Sequence, residues 1–158
     1  MLRIHPQSYA DFLEWCGALG VSDVPVPNSR TRVPEDAPWL DAPYQDLPMD
    51  YLHRLLSWEA IGGQNLVAGL PGITHSKRYR TEGHDDLLIF SVRGFLDHLR
   101  TFEPAAFERA ASAGSLRAYN RDVGPTDREL TGEQDLTLVV AEVAEFCMAN
   151  DLVLAIRY

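Results

Sequence analysis

The feature that most constrains the fold is in the last quarter of the chain, where an apolar stripe at helical spacing leads directly into an apolar strand pattern. The stripe consists of Leu136, Val139, Val140, Val143, Phe146 and Cys147. One-sided spacing of this kind predicts an amphipathic helix that packs on a core. After the turn signal of Asn150 and Asp151, residues 152–156 are all apolar, which is typical of a strand covered on both faces.

A second strand and helix pair is predicted in the middle of the chain. Residues 87–90 form a continuous apolar run that is too short for a lone helix and suits a buried strand. Helical spacing resumes directly afterwards, with Ser91 available as the N-cap. The apolar positions of this helix are Phe95, Leu96, Leu99 and Phe102.

Further predicted elements surround this framework. We predict helices over 8–20, from Asp46 and Pro48 to Gly62, and over 104–114, and strands over 65–73 and 116–119. The pattern favours the α+β class, with α/β as the alternative: a small mixed sheet packed against about four to five helices. We expect one globular domain over residues 1–158, with a proline-rich acidic surface loop at about 21–48 that holds six of the ten prolines.

Composition and cysteine usage restrict the class of protein. An apolar fraction of 46% and a charged fraction of 23% are ordinary for a globular domain. Residues 1–7 lack the pattern of a secretory signal, and the longest apolar-rich segment, 136–147, is interrupted by Glu142 and Glu145. Two cysteines without metal-type spacing are typical of reduced, buried thiols. We therefore expect a cytoplasmic protein with no membrane contact.

The most unusual stretch is Glu35–Tyr51, in which carboxylates alternate with aromatic rings and no basic residue intervenes. Rings provide rigid contact area, and carboxylates accept charge-assisted hydrogen bonds from arginine or lysine. This combination predicts a binding site for a basic protein surface. The predicted partner-binding residues are Glu35, Asp36, Trp39, Asp41, Tyr44, Asp46 and Asp50. The alternative interpretation is a solvated loop pinned to the core by Trp39 and Tyr44.

Net charge favours the same kind of partner. The formal charge of -9 repels nucleic acid and anionic membranes and speeds encounters with basic proteins. No catalytic motif or cofactor-binding fingerprint occurs, so we expect no cofactor and lean towards a non-enzymatic role. The hypothesis is a bacterial immunity or antitoxin-type protein that neutralises a toxin by occluding its basic surface.

A metal-dependent enzyme is the competing hypothesis. His53, then His84 beside Asp85, then a later aspartate such as Asp122 or Asp135, resembles the ligand order of HD-type metal phosphohydrolases. That resemblance implies a bound cation that activates water. In that family the His-Asp pair lies within a helix, whereas His84 here follows Gly83 and leads into a predicted strand. The chain departs from the family pattern at this point.

Two further readings stay open. The basic cluster of His75, Lys77, Arg78 and Arg80 around Tyr79 suggests a phosphate contact in isolation. In a strongly negative chain we expect it to form internal salt bridges instead, and we predict no nucleic-acid binding. A small-molecule sensing domain is the third possibility, and it predicts an enclosed apolar pocket of several hundred Å³.

Overall fold

The computed structural model describes residues 1–63, 66–83, 85–123 and 133–157. In these ranges one mixed sheet contains β1 (Leu2–Gln7), β2 (Leu40–Ala42), β3 (Leu66–Leu70), β4 (Lys77–Tyr79), β5 (Leu87–Ser91) and β6 (Val153–Arg157). The strand order across the sheet is β2-β1-β6-β3-β5-β4. β3 and β5 are parallel, and the other neighbouring pairs are antiparallel.

Helices pack on both faces of this sheet. They are α1 (Tyr9–Ala18), α2 (Met49–Leu55), α3 (Val92–Phe102), α4 (Pro104–Ala111), α5 (Leu116–Val123) and α6 (Glu133–Asn150), with 3-10 turns at Tyr44–Asp46 and Trp58–Gly63. The mixed sheet and its helices confirm the predicted α+β class in a single-domain fold. Among the described helices, none combines the length and apolarity needed to cross a membrane.

One face of the sheet, called here the main-core face, is covered by α2 to α6. Its inward side chains are Leu2, Ile4, Val67, Leu88, Phe90, Leu154 and Ile156. They form one buried cluster with apolar residues of all five helices. The helix and strand predicted in the last quarter of the chain, α6 and β6, both contribute to this core.

The opposite face, called here the α1 face, is covered only in part. Its apolar side chains are Ala68, Leu70, Leu87, Ile89 and Val153. They pack against Tyr9, Phe12 and Cys16 of α1 and against Val21 and Val24 of the following segment. Towards β2 this face carries polar side chains instead.

Local capping explains where several helices begin and end. The Ser8 Oγ accepts a hydrogen bond from the Asp11 backbone N–H at 3.2 Å, and the Ser91 Oγ accepts one from the Gly94 N–H at 3.2 Å. After α1, Gly20 takes the left-handed conformation with φ +76°. The predicted cap at Ser91 is therefore confirmed, and Ser8 caps the predicted first helix.

One predicted strand was wrong, and one predicted helix has other bounds, because α2 ends at Leu55 and a separate 3-10 turn reaches Gly63. Residues 116–119 form the start of α5 rather than an edge strand, because Ser115 caps them: its Oγ accepts from the Ala118 N–H at 3.1 Å. Asp46 does not begin a helix, since it ends a 3-10 turn and α2 starts at Met49. The predicted surface loop contains no helix or strand from residue 21 to Trp39. The rest of its predicted range contains β2 and the 3-10 turn.

Candidate protein-binding surface

The acidic-aromatic segment, Glu35–Tyr51, is held by a row of apolar side chains that point inward. These anchors are Leu40, Ala42, Leu47 and Tyr51. β2 pairs with β1 through the register Leu2↔Ala42, Arg3↔Asp41 and Ile4↔Leu40. Strand alternation thus buries Leu40 and Ala42 in the main core and leaves Asp41 outside. Residues 40–42 of the segment are therefore a fixed part of the sheet edge.

The two aromatic rings predicted to contact a partner are on the outside of the protein. Trp39 is 55% exposed and Tyr44 is 39% exposed. Neither ring therefore anchors the segment in the core. This argues against the alternative interpretation, in which Trp39 and Tyr44 hold a solvated loop to the core. Tyr51 has the anchoring role, with only 2% of its surface exposed.

Tyr51 fixes the end of the segment through a buried polar network. Its hydroxyl donates to the Glu103 Oε1 at 3.1 Å and contacts the Thr137 Oγ1 on α6. Burial raises the pKa of Tyr51 to about 12, while the hydrogen bond with Thr137 lowers it and the bond to Glu103 raises it. The phenol therefore stays protonated, and it ties α2 to α6 beneath the exposed surface.

The five predicted carboxylates are exposed and differ in their partners. The Arg3 Nε is 3.4 Å from the Asp41 Oδ1, and the Arg117 Nη2 is 3.3 Å from the Asp36 Oδ2. Glu35, Asp46 and Asp50 form no ion pair with any residue in the described ranges. Within the predicted set, these three carboxylates are the ones open to an external cation.

The basic cluster lies at the far edge of the same sheet. Lys77, Arg78 and Arg80 are exposed on or beside β4, while the acidic-aromatic segment contains β2. Five strand spacings of about 4.8 Å separate these edges by roughly 24 Å. None of the ion pairs in the described parts of the chain involves this cluster, so the expected internal salt bridges do not form there. The Lys77 Nζ instead lies 4.8 Å from the Tyr79 ring centroid.

The alternative metal set is only partly placed. His53 is exposed on α2, and Asp85 is exposed before β5. His84 and the side chain of Asp122 lie outside the described residues. Among those that are described, no group of three or more histidine, cysteine, aspartate or glutamate side chains could hold a metal ion.

The hypothesis of a small-molecule sensing domain can be compared with a cleft between α3 and α6. Its volume is about 320 Å³. The lining residues are Arg93, Leu96, Asp97, Arg100, Glu145, Met148 and Ala149. Arg100 spans the lining through contacts of 3.6 Å to Asp97 and 3.0 Å to Glu145. This charged surface cleft differs from the enclosed apolar pocket that a small-molecule sensor requires.

Comparisons with known proteins give no independent guide to the site. No protein-family model matches the sequence, no curated protein shows significant similarity to it, and no solved structure matches its fold. The geometry of the acidic-aromatic segment therefore carries the functional argument alone.

Proposed function

We propose that this chain is a non-enzymatic binding protein whose acidic-aromatic segment docks onto a basic surface of another protein. The observation that carries the proposal is the exposure of Trp39 and Tyr44 beside three carboxylates without an intramolecular ion pair among the described residues. Large exposed aromatics at the centre of a patch are typical binding hot spots. Carboxylates around them favour arginine and lysine on the partner.

The rigid mounting of the segment supports this role. β2, the 3-10 turn and the first turn of α2 present Asp41, Tyr44, Asp46 and Asp50 on regular backbone, and Trp39 directly precedes the buried Leu40 of β2. A preorganised surface loses little conformational entropy when it binds. The net charge of -9 adds electrostatic steering, which raises the association rate and makes it sensitive to salt.

The biological form of the proposal is a cytoplasmic bacterial immunity or antitoxin-type protein. Such a protein neutralises a toxin by occluding a cationic cleft, which needs no catalytic residue and no cofactor. The partner class is therefore a basic protein, and the mechanism is steric and electrostatic occlusion.

The test compares two charge-reversal variants of equal net charge as baits in a bacterial lysate. Glu35→Lys with Asp46→Lys changes the segment, and Glu14→Lys with Glu108→Lys changes exposed carboxylates of α1 and α4. We expect wild type and the α1/α4 control to retain the same basic protein, and the segment variant to lose it. Equal retention by all three baits, or no basic protein on wild type, would contradict the proposal.

A further inference from the structure

A cationic cluster lies on the α1 face next to β2. Arg3 and Arg157 are direct partners in the antiparallel register of β1 and β6. Their Cα atoms are therefore about 4.5–5.5 Å apart, and both side chains project from the same face. His5 is two residues along β1 and shares this face. Because like charges directly opposite each other destabilise an antiparallel pair, these arginines repel unless an anion lies near them.

The guanidinium of Arg157 is held in one orientation. Its Cζ lies 3.9 Å from the ring centroid of Trp15 on α1. Its Nη1 donates to the Val67 carbonyl oxygen at 3.1 Å and to the Ile156 carbonyl oxygen at 3.3 Å. Stacking fixes the plane of the group and the two hydrogen bonds fix its rotation, so its other donors point in a set direction.

Those other donors have the geometry of an oxyanion receptor. Nε and Nη2 are on the same side of a guanidinium and form the fork that binds carboxylate or phosphate through two parallel hydrogen bonds. Within the described residues, neither atom has an acceptor and Arg157 has no carboxylate partner. A partly buried cation without a counter-ion is rare in folded proteins. None of the carboxylates in the described ranges forms an ion pair with Arg157.

The local charge balance is positive although the whole chain is acidic. Asp41 is 3.4 Å from Arg3 and offsets one of the two arginines. Burial, followed by Arg157, lowers the pKa of His5, while Asp41 raises it and Arg3 lowers it further. Negative charges elsewhere on the surface are screened beyond about 10 Å at ordinary salt. Arg157 is therefore the arginine of this pair whose charge no carboxylate in the described ranges offsets.

We propose that Arg3, His5 and Arg157 form a binding site for the oxyanion group of a small ligand, a phosphate or a carboxylate, with Trp15 as its wall. Arg157 supplies the bidentate fork, Arg3 a second cation, and His5 a ring N–H donor. The site uses the sheet face and not the exposed rings of the docking surface, and the two surfaces share Asp41, which pairs with Arg3.

The first test is a titration of the full chain with sodium phosphate and, separately, sodium acetate, each against sodium chloride at equal ionic strength. The readouts are the NMR resonance of the Arg157 Nε–H and the indole N–H of Trp15. Saturable shifts with one anion identify its group as the ligand chemistry, and saturation with both supports a general oxyanion site. Shifts that chloride reproduces would overturn the proposal.

Variants then assign the effect to the cluster. Arg157→Gln should weaken anion binding about tenfold or more, because it removes a charge-assisted pair of hydrogen bonds. Arg157→Lys keeps the charge and removes the fork, so it should also weaken binding. Arg109→Gln on α4, an exposed arginine remote from this sheet face, is the matched control and should bind as wild type does.

A second position protects the test against misfolding of the Arg157 variants. Arg3 is 57% exposed, so Arg3→Gln should fold normally and still weaken binding severalfold. Unchanged saturation in both Arg3→Gln and Arg157→Gln would overturn the site. The outcome does not depend on the protein partner, because capture of that partner and anion titration are separate measurements.

Discussion

The two faces of the sheet differ in how completely helices cover them. Five helices bury the main-core face, whereas α1 and one short apolar segment cover only the β6-to-β4 side of the other. The part of this face that no helix covers carries Arg3, His5 and Asp41. The acidic-aromatic segment contains β2 at the same edge of the sheet. One complete core supplies most of the stability of a domain of this size. The incompletely covered face is therefore free to carry polar chemistry.

The largest effect should come from truncating a side chain on the main-core face. Phe90 is fully buried and contacts Trp58 and Phe95. Phe90→Ala should lower the free energy of unfolding by about 3–5 kcal/mol through lost burial and the cavity that remains. Trp39→Ala, on the exposed edge, should change it by less than about 0.5 kcal/mol. Urea denaturation measures both, and equal losses would break the contrast between the two regions.

A pair of glycine-to-alanine variants tests the same difference between the two faces with a single added methyl group. At Gly69 on β3 a Cβ would lie 2.7 Å from the Phe90 ring and 2.7 Å from the Val92 Cγ2. Gly69→Ala should therefore cost about 1–3 kcal/mol. At Gly17 on α1 a Cβ would meet nothing within 4 Å, so Gly17→Ala should stabilise the protein by up to ~1 kcal/mol. Thermal unfolding measures both changes. Melting temperatures that shift in the same direction in both variants would show that the packing of these faces is misassigned.

Alkaline pH tests the polar network under the acidic-aromatic segment. Folding raises the pKa of Tyr51 from 10.0 to about 12. The contribution of its hydroxyl to the free energy of unfolding is therefore fully present below pH 10 and is lost as pH rises towards 12. Tyr51→Phe should be less stable than wild type by about 1 kcal/mol at pH 8. That difference should shrink between pH 10 and pH 12. A constant difference across this range would place the Tyr51 hydroxyl in water.

Acid pH probes the uncovered face, where we expect the smallest effect. The pKa of His5 is lowered by burial first and then by Arg157 and Arg3, with Asp41 opposing. Its stabilising contribution is therefore present above the usual value of 6.5 and is lost as pH falls through the lowered pKa. His5→Gln should lose less stability than wild type on acidification. A steeper loss in the variant would mean that His5 is stabilised as a cation.

Sequence patterns predicted the elements whose apolar spacing is decided locally. β5, α3, α6 and β6 follow directly from their apolar runs and from the Ser91 cap. β1 and β4 were missed, because β1 contains Pro6 among polar residues and β4 has three residues with one ring. Such segments become strands because they pair with strands that are distant in the sequence, and no local pattern indicates that pairing.

The candidate surface could be predicted in composition but not in its pairing. The seven predicted residues are exposed, and their role in binding stays a prediction. The contacts of Asp41 with Arg3 and of Asp36 with Arg117 join residues that are distant in the sequence. The cluster of Arg3, His5 and Arg157 depends on the pairing of the first strand with the last, which spacing within one segment does not reveal.

The most direct test of the central claim is the dissociation constant of the captured basic partner for the double variant Trp39→Ala with Tyr44→Ala. We expect a loss of affinity of about 1,000-fold, since two exposed aromatic anchors at a hot spot contribute ~2 kcal/mol each and about 1.4 kcal/mol is tenfold in affinity. The free energy of unfolding should stay within about 0.5 kcal/mol of wild type. An unchanged dissociation constant would contradict the assignment of this surface.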